Sequence, residues 1–393
     1  MEGRYILKHK DHNVAILNFS ESGNLLSSQI LGKERLPLGC LNENGDVNKK
    51  RLEIWWNDRA IPRDRKNIHV IINLERGAAR NKLMLNSKAL SLSDHYWVTS
   101  NLNDKWNHIN YYENVFDDRL SRIVNDEVTN IKFSMKTPEF TTGGNLIKRW
   151  RILENGERVL EKRGDYPLFQ ETINEVIGTK LCERLSIEHI KYELDFLKEE
   201  NGFLMPFCRC KNITDIDNEL ISAIDVYNSI GVSVFNDDFY EHYIKCLENI
   251  GIKDGYKELD RMFVFDYIMF NHDRHFNNFG ILRNSKKLNN YKIAPLFDNG
   301  TSLYCNTGDY AIKYPERLIK RSRGFMQIDK QLDLVKDWSW YDRKNLIGFG
   351  DEVMELLKSL ESISKKRAEL IRSVLNERLK DLERYIKNHK KRK

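Results

Sequence analysis

Residues 271–280 read NHDRHFNNFG and residues 294–302 read APLFDNGTS, and how these two stretches are read decides the fold. In the first, Asp273 and Asn278 stand in the order D-x-x-x-x-N. At that spacing one loop can aim a carboxylate at an attacking hydroxyl and an amide oxygen at a metal ion. The preceding stretch GYKELDRMFVFDYIMF carries Leu259, Phe263, Tyr267 and Phe270 on one face and predicts a helix running straight into the loop. FGIL then predicts a strand, and YKIAPLF a second apolar strand that ends on Asp298. Phosphoryl transfer needs its phosphates cradled, its metal ions held by carboxylate and amide oxygens, and a carboxylate beside the acceptor hydroxyl. Asp273, Asn278 and Asp298 supply those groups in the right order. Reading them as a loop cap, a turn former and an acceptor of backbone N–H bonds leaves the order unexplained.

Toward the N-terminus, Thr141, Thr142, Gly143, Gly144 and Asn145 form a loop whose glycines let backbone N–H groups approach phosphate oxygens. The two threonine hydroxyls either hold this turn or receive a regulatory phosphate that would weaken ATP binding. LIKRWRILENGERVLEKRG reads as two strands around an E-N-G turn, with Lys162 on the second, where an ammonium can reach the α/β-phosphates. FQETINEVIGTKLCERL carries Ile173, Val176, Ile177, Leu181 and Leu185 at helical spacing, and its Glu175 is the expected partner of Lys162, with Glu171 as the rival. YELDFLKEENGFLMPFCRCKN reads as a further hairpin in which Phe207, Cys208 and Cys210 are expected to line an adenine pocket without using their thiols. Arg274 either lies near the phosphates or braces its loop, and His275 is read as a hydrogen-bonding residue rather than a base.

Residues 1–134 alternate β-like runs, RYILKH and NVAILNF, with turn signals, ESGN and NENGD, and read as an accessory α+β domain. Within it, LSLSDHYW and the tryptophans Trp55, Trp56, Trp97 and Trp106 are expected to be core and interface anchors. Residues 135–212 follow the order strand, strand, helix, strand, strand, that of a kinase N-lobe. Residues 213–388 read as a helical lobe that starts near NELISAIDVYNSI and closes with an amphipathic helical pair from Asp351 to Lys387, leaving 389–393 as a basic tail.

The chain has 393 residues, 40% of them hydrophobic and 31% charged, enough for two or three domains with cores of their own. A net charge of +6, from 64 Lys and Arg against 58 Asp and Glu, is mild and argues against a nucleic-acid-binding body. The six cysteines form one C-x-C pair and no C-x-x-C pair, which points to reduced, buried thiols rather than a zinc knuckle. MEGRYILKHKDHN lacks the apolar core of a signal peptide and no run is long enough to span a membrane, so the expected compartment is the cytoplasm.

TTGGNLIKRW, the EKRG strand, NHDRHFNNFG and APLFDNGTS together resemble the HipA-like serine/threonine kinases over roughly residues 135–310. The resemblance implies an α+β, two-lobed protein-kinase-like fold with a β-rich N-lobe and a helical C-lobe, using ATP and magnesium. It implies Asp273 as catalytic aspartate, Asn278 and Asp298 as magnesium ligands and Lys162 as nucleotide-binding lysine, with the phosphate going to a Ser or Thr hydroxyl of a protein. Bacterial members of the family include toxins of toxin–antitoxin pairs and secreted effectors, which brings in a small DNA-binding antitoxin as a candidate partner. The D-R-H-x-x-N loop also resembles that of phosphoinositide 3- and 4-kinases. A lipid or small-molecule acceptor, and a non-catalytic scaffold, therefore stand as alternatives. TTGG departs from the corresponding loop of the best-known HipA toxins.

Overall fold

Alternation in RYILKH and NVAILNF produces an antiparallel hairpin, β1 (Gly3–His9) and β2 (His12–Phe19), which β3 (Leu25–Ile30) and β4 (Tyr96–Thr99) extend in the order β3-β2-β1-β4. The structure is a computed structural model that describes residues 3–42, 44–65, 79–119, 134–199, 202–230, 239–314 and 327–392. Helix α1 (Lys49–Arg59), N-capped by the Asn48 side chain on Arg51 N, buries Leu52 and Trp56 in one core with Leu7, Leu17 and Phe19 of this sheet.

The second sheet has the order β5-β6-β8-β7, built from β5 (Ile147–Ile152), β6 (Arg158–Arg163), β7 (Tyr192–Lys198) and β8 (Leu204–Lys211). The E-N-G turn closes β5 onto β6 with Gly156 at φ +82° and Gly156 N donating to Leu153 O at 2.8 Å. A positive φ is accessible to glycine at little steric cost. Helix α2 (Gln170–Leu185) follows β6 and buries Ile173, Ile177 and Leu181. The first two sheets are joined through Leu92, Trp97, Trp106 and Tyr111, which pack with Trp150 of β5. Trp56, Trp97 and Trp106 are thus core anchors, while Trp55 is only partly buried.

A third sheet, β11-β10-β9, consists of β9 (Asn218–Ser222), β10 (Gly280–Asn284) and β11 (Tyr291–Ile293). Around it pack α3 (Phe239–Asn249), α4 (Gly255–Met269), α5 (Phe349–Lys358) and α6 (Lys365–Arg392), whose apolar faces share one core with α2. The result is an α+β fold. Three expectations need correction. NELIS is a strand, not the start of a helix, because Glu219 and Ile221 are buried in alternation against β10. The apolar run before Asp298 stops pairing with β10 at Ile293, so Asp298 stands beyond the strand, after a lone bridge between Leu296 and His189. The segment expected as a basic tail is the last turn of α6, which continues to Arg392.

Candidate active site

Lys148 and Lys162 are direct cross-strand partners in the β5–β6 hairpin, so their side chains leave the same face of the sheet. Two ammonium groups placed so close require an anion between them, and Asp298 provides it. Lys162 Nζ lies 3.0 Å from Asp298 Oδ1, and Lys148 Nζ 3.8 Å from Oδ2. Lys162 also donates to Glu175 Oε1 at 2.9 Å and to the Tyr192 hydroxyl at 3.1 Å. Burial pushes the Asp298 carboxyl up, but Lys148 and Lys162 outweigh it and hold the group well below the usual carboxylate range. For Lys162 burial works downward, yet Asp298 and Glu175 keep the ammonium well above its ordinary value. Lys148 has weaker compensation, and burial brings it down to about 8.

Asp298 has φ +55°, a left-handed conformation that a non-glycine residue adopts only when its neighbours enforce it. Those neighbours are in place. Asp298 N donates to the Tyr192 hydroxyl at 3.4 Å and Asn299 N to Glu175 Oε2 at 2.8 Å. One helical turn from α2 completes the cradle: Asn174 Nδ2 donates to Gly300 O at 2.9 Å and Ser302 O at 2.7 Å. Gly178 lets the helix come close, since a Cβ there would meet Asn299 Cβ at 3.2 Å and Phe265 Cζ at 3.3 Å. Glu175 thus orients both the lysine and the aspartate turn. Glu171, the rival, instead accepts from Asp165 N at 3.1 Å.

The loop carrying Asp273 begins where α4 ends on Phe270, at φ +50°. Asp266, buried on α4, anchors it through Asn271 Nδ2 at 3.0 Å and the Arg274 guanidinium at 3.1–3.2 Å. Asn271 Oδ1 in turn accepts from Asp273 N at 3.1 Å. Arg274 is 1% exposed and reaches three segments at once, donating to Asn278 O and Phe297 O at 2.7 Å each and to Asn299 Oδ1 at 2.6 Å. Of its two expected roles, Arg274 fills that of brace. The Asn278 amide nitrogen donates to Asp273 O at 2.9 Å, which leaves the amide oxygen as the group it can present. His275 accepts from Asn277 N through Nδ1 at 3.2 Å, a local bond within the loop.

Asp273, Asn278, Asp298, Lys148 and Lys162 line one cavity of about 610 Å³, together with Thr141, Thr142, Gly143, Gly144 and Asn145. The two threonine hydroxyls are buried and engaged: Thr141 Oγ1 donates to Leu90 O at 2.7 Å and Thr142 Oγ1 to Pro138 O at 2.8 Å. They hold the turn. Of Phe207, Cys208 and Cys210, only Cys210 lines the cavity. The reason is register: Cys208 and Cys210 pair with Lys162 and Leu160 and share their face, but Cys208 is fully buried beneath it, while Phe207 projects to the opposite face beside Arg149 and Arg209. Lys211, the last residue of β8, and Asn212 and Ile213 after it wall the cavity in their place. Burial raises the Cys210 thiol to about 11, so it is protonated near neutral pH.

Sequence reading missed Lys148 as a member of the site and Tyr192 as the hydroxyl between Lys162 and the Asp298 backbone. A signal for Lys148 existed. Fixing the hairpin register from the E-N-G turn places Lys148 opposite Lys162. No local signal marked Tyr192, which only the pairing of β7 with β8 brings near.

Residues 132–374 match the HipA-like C-terminal domain, and the chain belongs to that family. No curated protein matches it significantly. Among solved structures, it is similar to HipA of Shewanella oneidensis, determined with HipB and its operator DNA, at a TM-score of 0.53 and 11% identity over 97% of each chain. It is also similar to the proinflammatory kinase CtkA of Helicobacter pylori (TM-score 0.45, 19% identity, 59% of this chain and 89% of that one). A Golgi casein kinase solved with Mn/ADP gives a TM-score of 0.31 at 11% identity over 80% of this chain and 88% of that one. Among the described residues no helix is long and apolar enough to cross a membrane.

Proposed function

We propose that this chain is an ATP- and magnesium-dependent kinase that transfers the γ-phosphate to a Ser or Thr hydroxyl of a protein. The observation that carries the reading is the meeting of Lys162, Glu175 and Asp298, from β6, α2 and the turn after β11, in one cavity with Asp273 and Asn278. In this reading the second sheet with α2 acts as the N-lobe and the helical part as the C-lobe of a two-lobed kinase. Lys162, with Lys148 beside it, holds the nucleotide phosphates, the backbone N–H groups of the 143–145 loop cover them, and Cys210 with Lys211, Asn212 and Ile213 walls the base. Asp273 accepts the proton of the attacking hydroxyl.

The donors fit a hard cation: Asn278 presents an amide oxygen and Asp298 a carboxylate kept ionised by its surroundings, the oxygen set that Mg²⁺ prefers. Bound there, the ion would neutralise charge on the phosphates. Of the two lysines, Lys148 is the more distant partner, so the Asp298 oxygen facing it is the one that would be offered to the ion.

The family resemblance and the HipB present in the HipA structure favour a small DNA-binding antitoxin as partner and a cytoplasmic toxin role, with a secreted effector as the other known use of the fold. The experiment is incubation with labelled ATP, magnesium and host lysate, with Asp273→Asn as control. A labelled protein bearing phosphoserine or phosphothreonine is expected. A labelled lipid would move the acceptor class, and no magnesium-dependent labelling or ATP turnover would leave a scaffold.

A further inference from the structure

Residues before 132 lie outside the stretch matched to the family, yet they grip the cavity wall from behind. Arg65 is 3% exposed and donates through Nη1 to Gly143 O at 3.2 Å and to Gly144 O at 2.9 Å, with the Glu139 carboxylate 3.6 Å from Nη2. The neighbouring segment holds the other side of the cavity. Leu92 O accepts from Asn212 Nδ2 at 3.1 Å and Thr214 Oγ1 at 2.5 Å, and Ser93 O accepts from Leu220 N at 2.8 Å. LSLSDHYW, expected only as an anchor, therefore clamps the connection that leaves β8.

The consequence for the glycine loop follows from peptide geometry. A trans peptide sets its N–H opposite its C=O, so fixing the Gly144 carbonyl on Arg65 turns Asn145 N–H the other way. Gly143, Gly144 and Asn145 line the cavity and Arg65 does not, which makes that other way the cavity side. Neither glycine has a side chain to hold this arrangement, Gly144 is at φ +83°, and a glycine loop loses more entropy on ordering than any other. The planar guanidinium holds both carbonyls through one terminal nitrogen while the other faces Glu139, a fork that a lysine ammonium cannot reproduce.

We propose that Arg65 is a positioning residue for the nucleotide: it pre-sets the loop whose N–H groups meet the phosphates, and so makes the N-terminal part a component of the nucleotide site. The proposal rests on the nucleotide reading of the cavity. It is tested on the full chain by measuring Mg–ADP affinity and turnover at saturating ATP for wild type, Arg65→Met, Arg65→Lys and the double variant Arg65→Met/Glu139→Gln, which removes the carboxyl that Arg65 would leave stranded.

Loss of charge-assisted bonds predicts a Kd for Mg–ADP raised about tenfold or more in both Met variants. A smaller, severalfold rise is expected for Arg65→Lys, with kcat at saturation within about threefold of wild type in all three. A folded Met variant with wild-type affinity overturns the proposal, as does a fall in kcat at unchanged Kd. If neither Met variant folds, Arg65→Lys decides, and wild-type affinity there overturns it. A wild-type chain that binds no Mg–ADP overturns the nucleotide reading itself, and this proposal with it, whereas normal wild-type binding with unaffected variants removes Arg65 alone.

Discussion

Two acidic side chains lie deep in this molecule among basic partners, Asp298 at the cavity and Glu219 where the first sheet meets the third, and their surroundings differ in one telling way. Glu219 also borders the cavity, but it is 0% exposed and its carboxylate is engaged by three residues. It accepts from His9 Nε2 at 3.0 and 3.1 Å, from Arg283 Nε at 2.7 Å and from His95 N at 3.2 Å, and all four residues are buried. Arg35 donates to His9 Nδ1 at 3.0 Å, and since arginine cannot accept, the proton of that imidazole sits on Nε2, facing Glu219. His9, His95 and Glu219 have the composition of a zinc site, yet the His9 nitrogen nearest the carboxylate is spent as a donor and Arg283 already neutralises the acid. At Asp298, by contrast, the side chain keeps 23% of its surface exposed, and one oxygen has its ammonium partner at 3.8 Å rather than in hydrogen-bond contact. Residue type does not separate the two places. What separates them is an oxygen left with something still to bind.

The sharpest way to break this contrast is to remove each acid in turn. Glu219→Ala leaves Arg283 buried without its partner and should cost about 3–5 kcal/mol in urea unfolding, while the folded fraction still binds Mg–ADP. Loss of nucleotide binding by well-folded Glu219→Ala would make Glu219 part of the site. Asp298→Ala should lose both magnesium-supported nucleotide binding and transfer, with some loss of stability as well, since Lys148 and Lys162 are left without the anion between them. Asp273→Asn should lose turnover by at least ~10²-fold with nucleotide affinity retained, and near-normal turnover would remove Asp273 from its assigned role.

Glu175→Gln should lower turnover roughly tenfold more than Glu171→Gln, because Glu175 holds both Lys162 and Asn299 N while Glu171 bonds Asp165 N. The opposite order in a turnover assay would return the role to Glu171. A pH series sharpens the other half of the comparison. Burial raises the Glu219 carboxyl, but Arg283 and His9 outweigh it and hold it below its ordinary value. Its stabilising contribution is then present above about pH 4.3 and is lost as the pH falls below that. Glu219→Gln should flatten this acid limb of the unfolding midpoint. The smallest effect is an expected null: a chelator should leave the thermal midpoint of the unliganded wild type unchanged, and a fall would mean that His9, His95 and Glu219 hold a metal after all.

Sequence periodicity sufficed for the hairpins around the E-N-G turn and around the stretch linking β7 to β8, for α2 and for α4, because each of these elements is decided within its own window. The order of Lys162, Glu175, Asp273, Asn278 and Asp298 along the chain was also legible, since Lys162 and Glu175 fall on a strand and a helix that local pattern marks, and the other three follow such elements. What local pattern does not contain is contact between distant segments. Glu219 meets His9 across 210 positions, and Arg274 serves Phe297 and Asn299 only because α4 and the turn after β11 converge. The strand at NELIS was hidden for the same reason: a short run beside a helix-forming segment takes its conformation from β10, which lies far along the chain.

The pairing of Lys148 with Lys162 has one more consequence. Because side chains alternate along a strand, a slip of one residue between β5 and β6 would carry Lys148 to the far face of the sheet, whereas a slip of two would return it. A single residue inserted within either paired strand should therefore remove a cation from the cavity without altering any residue that lines it, while an extra residue at the tip beside Gly156 should leave the charge where it is. At this hairpin, parity rather than chemistry governs which mutations the cavity can survive.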